Sequence, residues 1–185
     1  PKYKYGKQTV NAGWVTTFNK NAIVSENRLT KIHKSNLDQR LLPLLGCALT
    51  TALGVLENDA RLSIRDDLLI VGFGGVGVCF ALFAKFMRVR RIVVVDIDNS
   101  KKHLAEKIGV DLFIHSTGKD STLASLKEYY GNKRPTVAID TSGKSSSIEL
   151  CYEISHEQGR TILVGVPTLS DNSTIYTLPL HFGKV

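Results

Sequence analysis

From residue 67 onward the chain alternates short apolar runs with longer stretches whose apolar residues recur at helical spacing. This alternation predicts repeated strand–helix–strand units and a mainly parallel sheet. Since the short runs are almost continuously apolar, helices are expected on both sheet faces, as in a doubly wound α/β domain. The predicted strands are 68–71, 92–95, 112–114, 137–139 and 161–164, and the predicted helices are 76–87, 100–108, 121–129 and 145–156.

The first third of the chain follows a different pattern. Residues 41–56 are mostly apolar, with Pro43 near the start and Gly46 and Gly54 inside, which predicts one broken helix or two short ones. Residues 1–35 hold several aromatics but no pattern that could close a core of its own. We therefore expect residues 1–35 to be the remnant of a neighbouring domain and residues 36–185 to form the α/β domain.

The positive charge is concentrated at the start of the chain. The net charge is +7, and residues 1–46 carry eight basic and two acidic side chains, which leaves +1 for the other 139 residues. A basic arm beside a nearly neutral domain is more typical of a solvated surface than of a nucleic-acid site, and no nucleic-acid-binding motif accompanies it. The sequence therefore predicts no nucleic-acid partner.

The three cysteines, Cys47, Cys79 and Cys151, are widely spaced, and none belongs to a Cys-x-x-Cys pair. An odd number at such spacing favours neither a disulfide framework nor a self-contained zinc knuckle. No apolar run is long enough to span a membrane, and no signal-peptide pattern is present. These observations predict a cytoplasmic protein without a membrane partner.

The strongest chemical signal is the run Gly72-Phe73-Gly74-Gly75-Val76-Gly77, which matches G-x-G-x-x-G and lies between a predicted strand and a predicted helix. Gly72 would permit the tight turn, Gly74 would let a diphosphate approach the backbone, and Gly77 would let the helix pack against the strand. A diphosphate in this position meets the free N–H groups and the positive end of the helix dipole. The motif predicts a dinucleotide site in a Rossmann-type fold.

Asp96 supports this prediction. It ends the second strand 24 residues after Gly72, close to the roughly 20 residues expected for the acid that binds the adenosine ribose. The competing interpretation of Asp96 is a helix cap or a solvated strand end. For Asp98 a cap on the next helix, near Ser100, is the favoured role. An acid at position 96 predicts NAD rather than NADP.

With these motifs the chain resembles the medium-chain dehydrogenase/reductase superfamily, in particular its zinc-dependent alcohol and polyol dehydrogenases. A second match is Gly46-Cys47-Ala48-Leu49-Thr50-Thr51-Ala52-Leu53-Gly54, which resembles the Gly-Cys-x-x-x-Thr-x-x-Gly segment that precedes the first strand in these enzymes. The run Val164-Gly165-Val166-Pro167 resembles the end of their fifth strand. Together these segments extend the resemblance over almost the whole chain.

The resemblance implies specific roles. Cys47 would be a catalytic zinc ligand, Thr51 would lie beside the nicotinamide and the reacting alcohol, and Lys101 would be a second ribose contact. Val76 would back the nicotinamide, and Gly75 lies within the same glycine-rich loop. Backbone groups of residues 164–166, that is Val164, Gly165 and Val166, would meet the nicotinamide ribose and carboxamide. Zinc would act as a Lewis acid on the alcohol oxygen while hydride passes to NAD.

Each of these roles has a simpler alternative in the residues themselves. Cys47 could be a buried structural cysteine, Thr51 could bond within its own helix, and Lys101 could be a solvated lysine. The histidines show no spacing typical of a metal site. A zinc-free NADPH-dependent quinone or enoyl reductase, or a non-catalytic nucleotide-binding module, are the alternative functions.

The resemblance also indicates what lies outside the chain. In the family a GroES-like catalytic domain supplies the other zinc ligands and much of the substrate pocket, so residues 1–35 would be its tail. Residues 36–185 would be an NAD(P)-binding domain truncated before a sixth strand. We therefore expect this chain alone to be inactive and to hold no tight zinc, whereas the full-length enzyme would be a homo-oligomer acting on a small alcohol or polyol.

Overall fold

The computed structural model describes residues 2–11, 20–22, 24–33, 36 and 38–177, which fall into two units, residues 1–38 and 39–185. In the first unit β1 (Lys2–Tyr5) and β2 (Gln8–Asn11) form an antiparallel hairpin. A short 3-10 turn, Glu26–Arg28, follows. The boundary lies three residues after the expected one, and the assignment of this segment to a catalytic domain stays a prediction.

The second unit contains a parallel sheet of five strands. The strands are β3 (Asp67–Val71), β4 (Arg91–Asp96), β5 (Leu112–His115), β6 (Val137–Asp140) and β7 (Arg160–Leu163). Their order in the sheet is β5-β4-β3-β6-β7, so the chain winds outward from β3 first to one side and then to the other. This confirms the doubly wound parallel sheet, and each predicted strand matches within one residue at either end.

The helices follow the predicted order with small shifts at their ends. The helices are α1 (Leu42–Gly46), α2 (Ala48–Gly54), α3 (Gly75–Phe86), α4 (Lys102–Ile108), α5 (Lys119–Tyr130) and α6 (Ser145–Ile154). The apolar segment before β3 is a broken helix, as expected: a break at Cys47 separates α1 from α2, and a π-helical turn, Val55–Asp59, follows α2. α5 starts two residues before its predicted start because the carbonyl of Gly118 accepts hydrogen bonds from the Thr122 amide and hydroxyl.

The core lies in two layers, one on each face of the sheet. Since side chains alternate along a strand, Leu68 and Ile70 of β3 belong to one layer, and Leu69 and Val71 belong to the other. The first layer contains residues of α2 and α3, and the second contains residues of α5 and α6. Helices therefore cover both faces, which is why the central residues of the strands are apolar, whereas charged residues such as Asp67, Arg91 and Asp140 lie at the strand ends.

A polar network ties the strands together at their amino ends. Asp66, just before β3, accepts a hydrogen bond from Thr136 Oγ1 at 2.7 Å and pairs with Arg160 at the start of β7. Burial opposes ionisation of Asp66, but the hydrogen bonds from Thr136 and Ser63 outweigh it and lower its pKa. The neighbouring Asp67 is also buried and pairs with Arg90 at 2.7 Å. This edge holds charges that are satisfied within the domain.

Within the described part of the chain, no single helix is long and apolar enough to cross a membrane. Only when Gln39–Gly46 and Ala48–Asp59 are taken together, with the 47° bend between them, do length and composition reach that range.

Candidate functional site: a nucleotide pocket at the carboxyl ends of the strands

The glycine-rich motif forms the turn between β3 and α3. Gly72 has a φ of +99°, a conformation that other residues rarely adopt, and it turns the chain away from the strand. A Cβ on Gly77 would lie 2.1 Å from the carbonyl oxygen of Gly72, so only glycine lets α3 pass this close to the turn. Positions 74 and 75 face open space, and a Cβ at either of them would meet no atom within 4 Å. The turn is therefore tightly packed on one side and open on the other.

Asp96 lies at the end of β4 directly beside this turn. Its carboxylate is 6% exposed and accepts the amide of Phe73 at 2.5 Å and that of Asp98 at 2.8 Å. The Phe73 ring is buried and meets the Phe113 ring edge-on, with centroids 6.5 Å apart. The acid and the glycine turn are thus joined by a hydrogen bond from a backbone amide to a carboxylate, and the side chain of the donating residue packs in the core.

Lys101 pairs with Asp96 in this structure. Its Nζ lies 3.1 Å from Oδ1 and 3.0 Å from Oδ2 of the carboxylate. The side chain reaches back to the strand end and stays 32% exposed, so Lys101 is a partly solvated lysine with an acidic partner, and its contact with the ribose stays a prediction. The interpretation of Asp98 as a cap is confirmed: its Oδ1 accepts the Ser100 hydroxyl at 2.6 Å and amide at 3.0 Å, which lowers the Asp98 pKa.

A cavity of about 540 Å³ opens between these groups and the turns that follow β5 and β6. Its wall includes the glycine turn, Asp96 and Lys101, so four of the predicted residues meet in one place. Doubly wound folds bind ligands at the carboxyl ends of their strands, at the point where successive connections leave to opposite sides of the sheet. The cavity is lined by Val71, Gly72, Gly74, Val95, Asp96, Ile97, Lys101, Ser116, Thr117, Gly118, Lys119, Thr141, Ser142, Lys144, Ser146, Ser147 and Leu150.

The lining suits a nucleotide. Lys101 is paired with Asp96, and Lys119 is paired with Glu149. Lys144 adds a further positive charge to the lining, which favours an anionic ligand, and α3 starts at the cavity wall. Several hydroxyl groups and the apolar side chains of Ile97 and Leu150 complete the wall. A phosphate group, a ribose and an aromatic base would each find matching surface here.

Residues 164–166 lie at the same edge, just after β7. The amides of Val164 and Gly165 donate to the Asp140 carbonyl at 2.8 and 3.0 Å, which ties this loop to the end of β6. Val166 is 88% exposed. Gly75, Val76 and Gly77 form the first turn of α3 directly behind the cavity. None of these six residues belongs to the cavity lining itself.

Cys47 and Thr51 lie elsewhere. They share the first turn of α2, where the Thr51 amide donates to the Cys47 carbonyl at 2.9 Å, and neither lines the cavity. Cys47 is exposed, whereas Cys79 and Cys151 are buried and have pKa values raised by burial. Among the described residues no three His, Cys, Asp or Glu side chains come together as metal ligands. These residues do not by themselves form a zinc site.

The sequence interpretation missed the turns after β5 and β6. Ser116, Thr117 and Lys119 follow β5, and Thr141, Ser142 and Lys144 follow β6. A signal was available, since the carboxyl ends of neighbouring parallel strands meet at one edge and polar residues follow each predicted strand. In the Gly143-Lys144-Ser145 run after β6 the three amides already have partners within the domain, since they donate to Asp140, to the Ser142 hydroxyl group and to Asp171.

The fold and the site together define a Rossmann-type nucleotide-binding domain. The family model described as "Zinc-binding dehydrogenase" matches residues 75–185, more than half of the chain, and the chain therefore belongs to that family. It is 28% identical to alcohol dehydrogenase 1 of Pisum sativum over 169 residues, which are 90% of this chain and 43% of that protein.

Two solved structures show the same fold. Benzyl alcohol dehydrogenase from Acinetobacter calcoaceticus superposes with a TM-score of 0.73 at 25% identity, over 82% of this chain and 41% of that one. A putative zinc-binding dehydrogenase from Sinorhizobium meliloti 1021, bound to NADP, superposes with a TM-score of 0.65 at 16% identity, over 74% of this chain and 40% of that one. The chain spans less than half the length of each of these relatives.

Proposed function

We propose that this chain is the NAD-binding part of a zinc-dependent alcohol or polyol dehydrogenase, which oxidises an alcohol to a carbonyl compound. The observation that carries the proposal is the hydrogen bond from the glycine turn to Asp96, at the wall of a cavity of about 540 Å³. The diphosphate would lie over Gly74 and Gly75, where the backbone is open, and the adenosine ribose would lie at Asp96 and Lys101. NAD would supply the hydride acceptor.

Asp96 and Lys101 would share the recognition of the ribose. A carboxylate accepts hydrogen bonds from ribose hydroxyls and repels a 2′-phosphate, so it favours NAD over NADP. Lys101 already neutralises part of that charge, which reduces the discrimination. The preference for NAD should therefore be clear but moderate.

The nicotinamide end would meet the backbone of Val164, Gly165 and Val166, with Val76 behind it. Cys47 would contribute one thiolate to zinc and Thr51 would accompany the reacting alcohol. Among the described residues Cys47 belongs to no group of three possible metal ligands. Cys47 can act in this way only beside ligands from other parts of a longer protein.

Two alternatives make different predictions. A zinc-free quinone or enoyl reductase of the same superfamily would favour NADPH and would not require Cys47. A non-catalytic module would bind the nucleotide but would have no activity even in the whole protein. The acid at position 96 favours the dehydrogenase over the reductase.

The test is calorimetric titration of the chain with NADH and NADPH. We expect NADH to bind more tightly, with displacement by AMP. Binding of neither nucleotide, or tighter binding of NADPH, would contradict the proposal. In the whole protein, replacing Cys47 with Ser should abolish alcohol oxidation and leave NADH affinity unchanged. If that variant oxidises alcohols at the normal rate, the role of Cys47 in the proposal is wrong.

The alcohol substrate and the assembly follow from the family resemblance, whereas the location and the expected absence of nucleic-acid and membrane partners follow from the charge distribution, the cysteine spacing and the lengths of the apolar runs. We propose a cytoplasmic enzyme that assembles with copies of itself, acts on a small-molecule alcohol, and binds neither nucleic acid nor membrane. Sedimentation of the whole protein tests the assembly directly.

A further inference from the structure

Asp140, at the end of β6, is completely buried, although it is an acid at the functional edge of the sheet. Its carboxylate accepts the Ser142 hydroxyl at 2.7 Å and amide at 3.1 Å through Oδ1, and the Gly143 amide at 2.9 Å through Oδ2. Buried carboxylates are costly unless they are fully hydrogen-bonded, and here three donors surround the group. The side chain therefore fixes the conformation of the turn that follows it.

That turn is in close backbone contact with the loop after β7. A Cβ on Gly165 would lie 2.0 Å from the Gly143 nitrogen and 2.8 Å from Asp140 Oδ2. A Cβ on Gly143, whose φ is +69°, would lie 2.5 Å from the Val166 carbonyl oxygen. Two glycines thus let the turns after β6 and β7 touch, with the Asp140 carboxylate against them.

The Asp140 backbone completes the connection. Its carbonyl accepts the amides of Val164 and Gly165, while its side chain holds Gly143 on the other side of the contact. A displacement of Gly143 would be transmitted to residues 165 and 166, because a Cβ at Gly143 or Gly165 would already clash with the backbone of the other turn. The position of the loop after β7 therefore depends on the shape and the hydrogen bonds of one buried side chain.

We propose that Asp140 is a positioning residue for the nicotinamide half of the cofactor, acting through Gly143 on residues 164–166. This inference rests on the proposed function, in which those residues meet the nicotinamide. It goes further by assigning the alignment of that half to a buried acid that touches no part of the cofactor. The adenosine ribose, at Asp96 and Lys101, should depend on Asp140 much less, because neither side chain is hydrogen-bonded to the turn after β6.

The experiment compares NADH with AMP, which carries the adenosine half alone. In Asp140→Asn an NH2 group replaces one of the two accepting oxygens and faces a hydrogen-bond donor, so the turn must move. We expect NADH affinity to fall about tenfold, which corresponds to ~1.4 kcal/mol, with AMP affinity changed by less than about twofold. Gly143→Ala, whose new methyl group would press on the Val166 carbonyl oxygen, displaces the same loop without changing Asp140 and should give the same selective loss.

Asp67→Asn is the matched control, because Asp67 is a similarly buried acid at the opposite edge of the sheet. It should lower thermal stability without changing the NADH-to-AMP affinity ratio. If Asp140→Asn weakens both ligands equally, or if Asp67→Asn changes the ratio as much, the positioning role is wrong. Should Asp140→Asn not fold, the ratio in Gly143→Ala decides, and an unchanged ratio there would show that the turn after β6 does not position the nicotinamide half. Failure of the unmodified chain to bind NADH would instead overturn the proposed function, and this inference with it.

Discussion

The backbone amide of Phe73 donates to Oδ2 of Asp96 across 2.5 Å, so the glycine turn and the ribose-binding acid proposed above form one hydrogen-bonded unit. A change at Asp96 should therefore act on both the ribose contact and the shape of the turn. We expect Asp96→Ala to weaken NADH binding about tenfold or more, since a hydrogen bond to a charged group contributes ~1.5–3 kcal/mol. NADPH affinity should fall less, so the ratio of NADH affinity to NADPH affinity becomes smaller.

Titration with both nucleotides measures this effect, and Asp98→Ala is the control. Asp98 is the neighbouring acid, but it caps the next helix and does not line the cavity. A preference for NADH that survives unchanged in Asp96→Ala would refute the ribose-binding role.

Substitutions at two glycines of the motif should affect different properties, one the stability of the fold and the other the affinity for NADH. In Gly77→Ala the new methyl group would lie 2.1 Å from the Gly72 carbonyl, so α3 must shift at a cost of ~1–3 kcal/mol or more in unfolding free energy. In Gly74→Ala the methyl group meets no protein atom within 4 Å. It should leave stability nearly unchanged and weaken NADH binding by obstructing the diphosphate. Urea unfolding and titration of both variants check this contrast, and a Gly74→Ala protein with normal NADH affinity would contradict it.

Thr141 should position the turn through its hydroxyl group. Its Oγ1 donates to the Gly72 carbonyl at 2.8 Å, from the neighbouring strand end. We expect Thr141→Val, which keeps the shape and removes the donor, to weaken NADH binding about fivefold, as the loss of ~1 kcal/mol implies. Thr141→Ser should restore the affinity because it restores the hydroxyl group. Equal affinities in the Val and Ser variants would show that only packing matters at this position.

Asp66 should make the domain sensitive to acid. Its pKa is lowered in the folded state and would be near ~3.9 in the unfolded chain, so it stabilises the fold above that pH. This contribution is lost as the pH falls from about 4 through the folded value. We expect the free energy of unfolding of Asp66→Asn at pH 7 to be ~1–3 kcal/mol lower than that of the unmodified chain. Acidification should then lower the stability of the variant by less than it lowers that of the unmodified chain. Urea midpoints from pH 7 to pH 3 test this expectation, and parallel pH curves for the two proteins would contradict it.

The cysteines should differ sharply in reactivity. Cys47 is exposed, whereas burial raises the pKa of Cys79 and Cys151 and keeps them from reagents. We expect one thiol to react in the native chain and all three to react in denaturant. Equimolar zinc should not protect Cys47, since a catalytic site normally needs three protein ligands. Slow labelling of Cys47 in the presence of zinc, reversed by a chelator, would show that this chain holds the metal.

The sequence predicted the local features well because each depends on neighbouring residues. The five strands follow from apolar runs, and the roles of Gly72 and Gly77 follow from their place in the motif. Asp140 could not be recognised in the same way, because its importance depends on contact with Gly165, which is distant in sequence and adjacent only once β6 and β7 pair. The pairing of Lys101 with Asp96 also required the path of the chain after β4.

The charges of Asp66 and Asp67 are satisfied at the amino ends of the strands, away from the cavity. Their bonds hold β3, β7 and the start of β4 together without using any group from the functional edge. Natural selection can therefore alter the turns at the carboxyl edge while the sheet keeps its own source of stability. A protein divided in this way can exchange one ligand for another by gradual substitution of the cavity-lining side chains, since such changes leave the bonds at the amino ends intact.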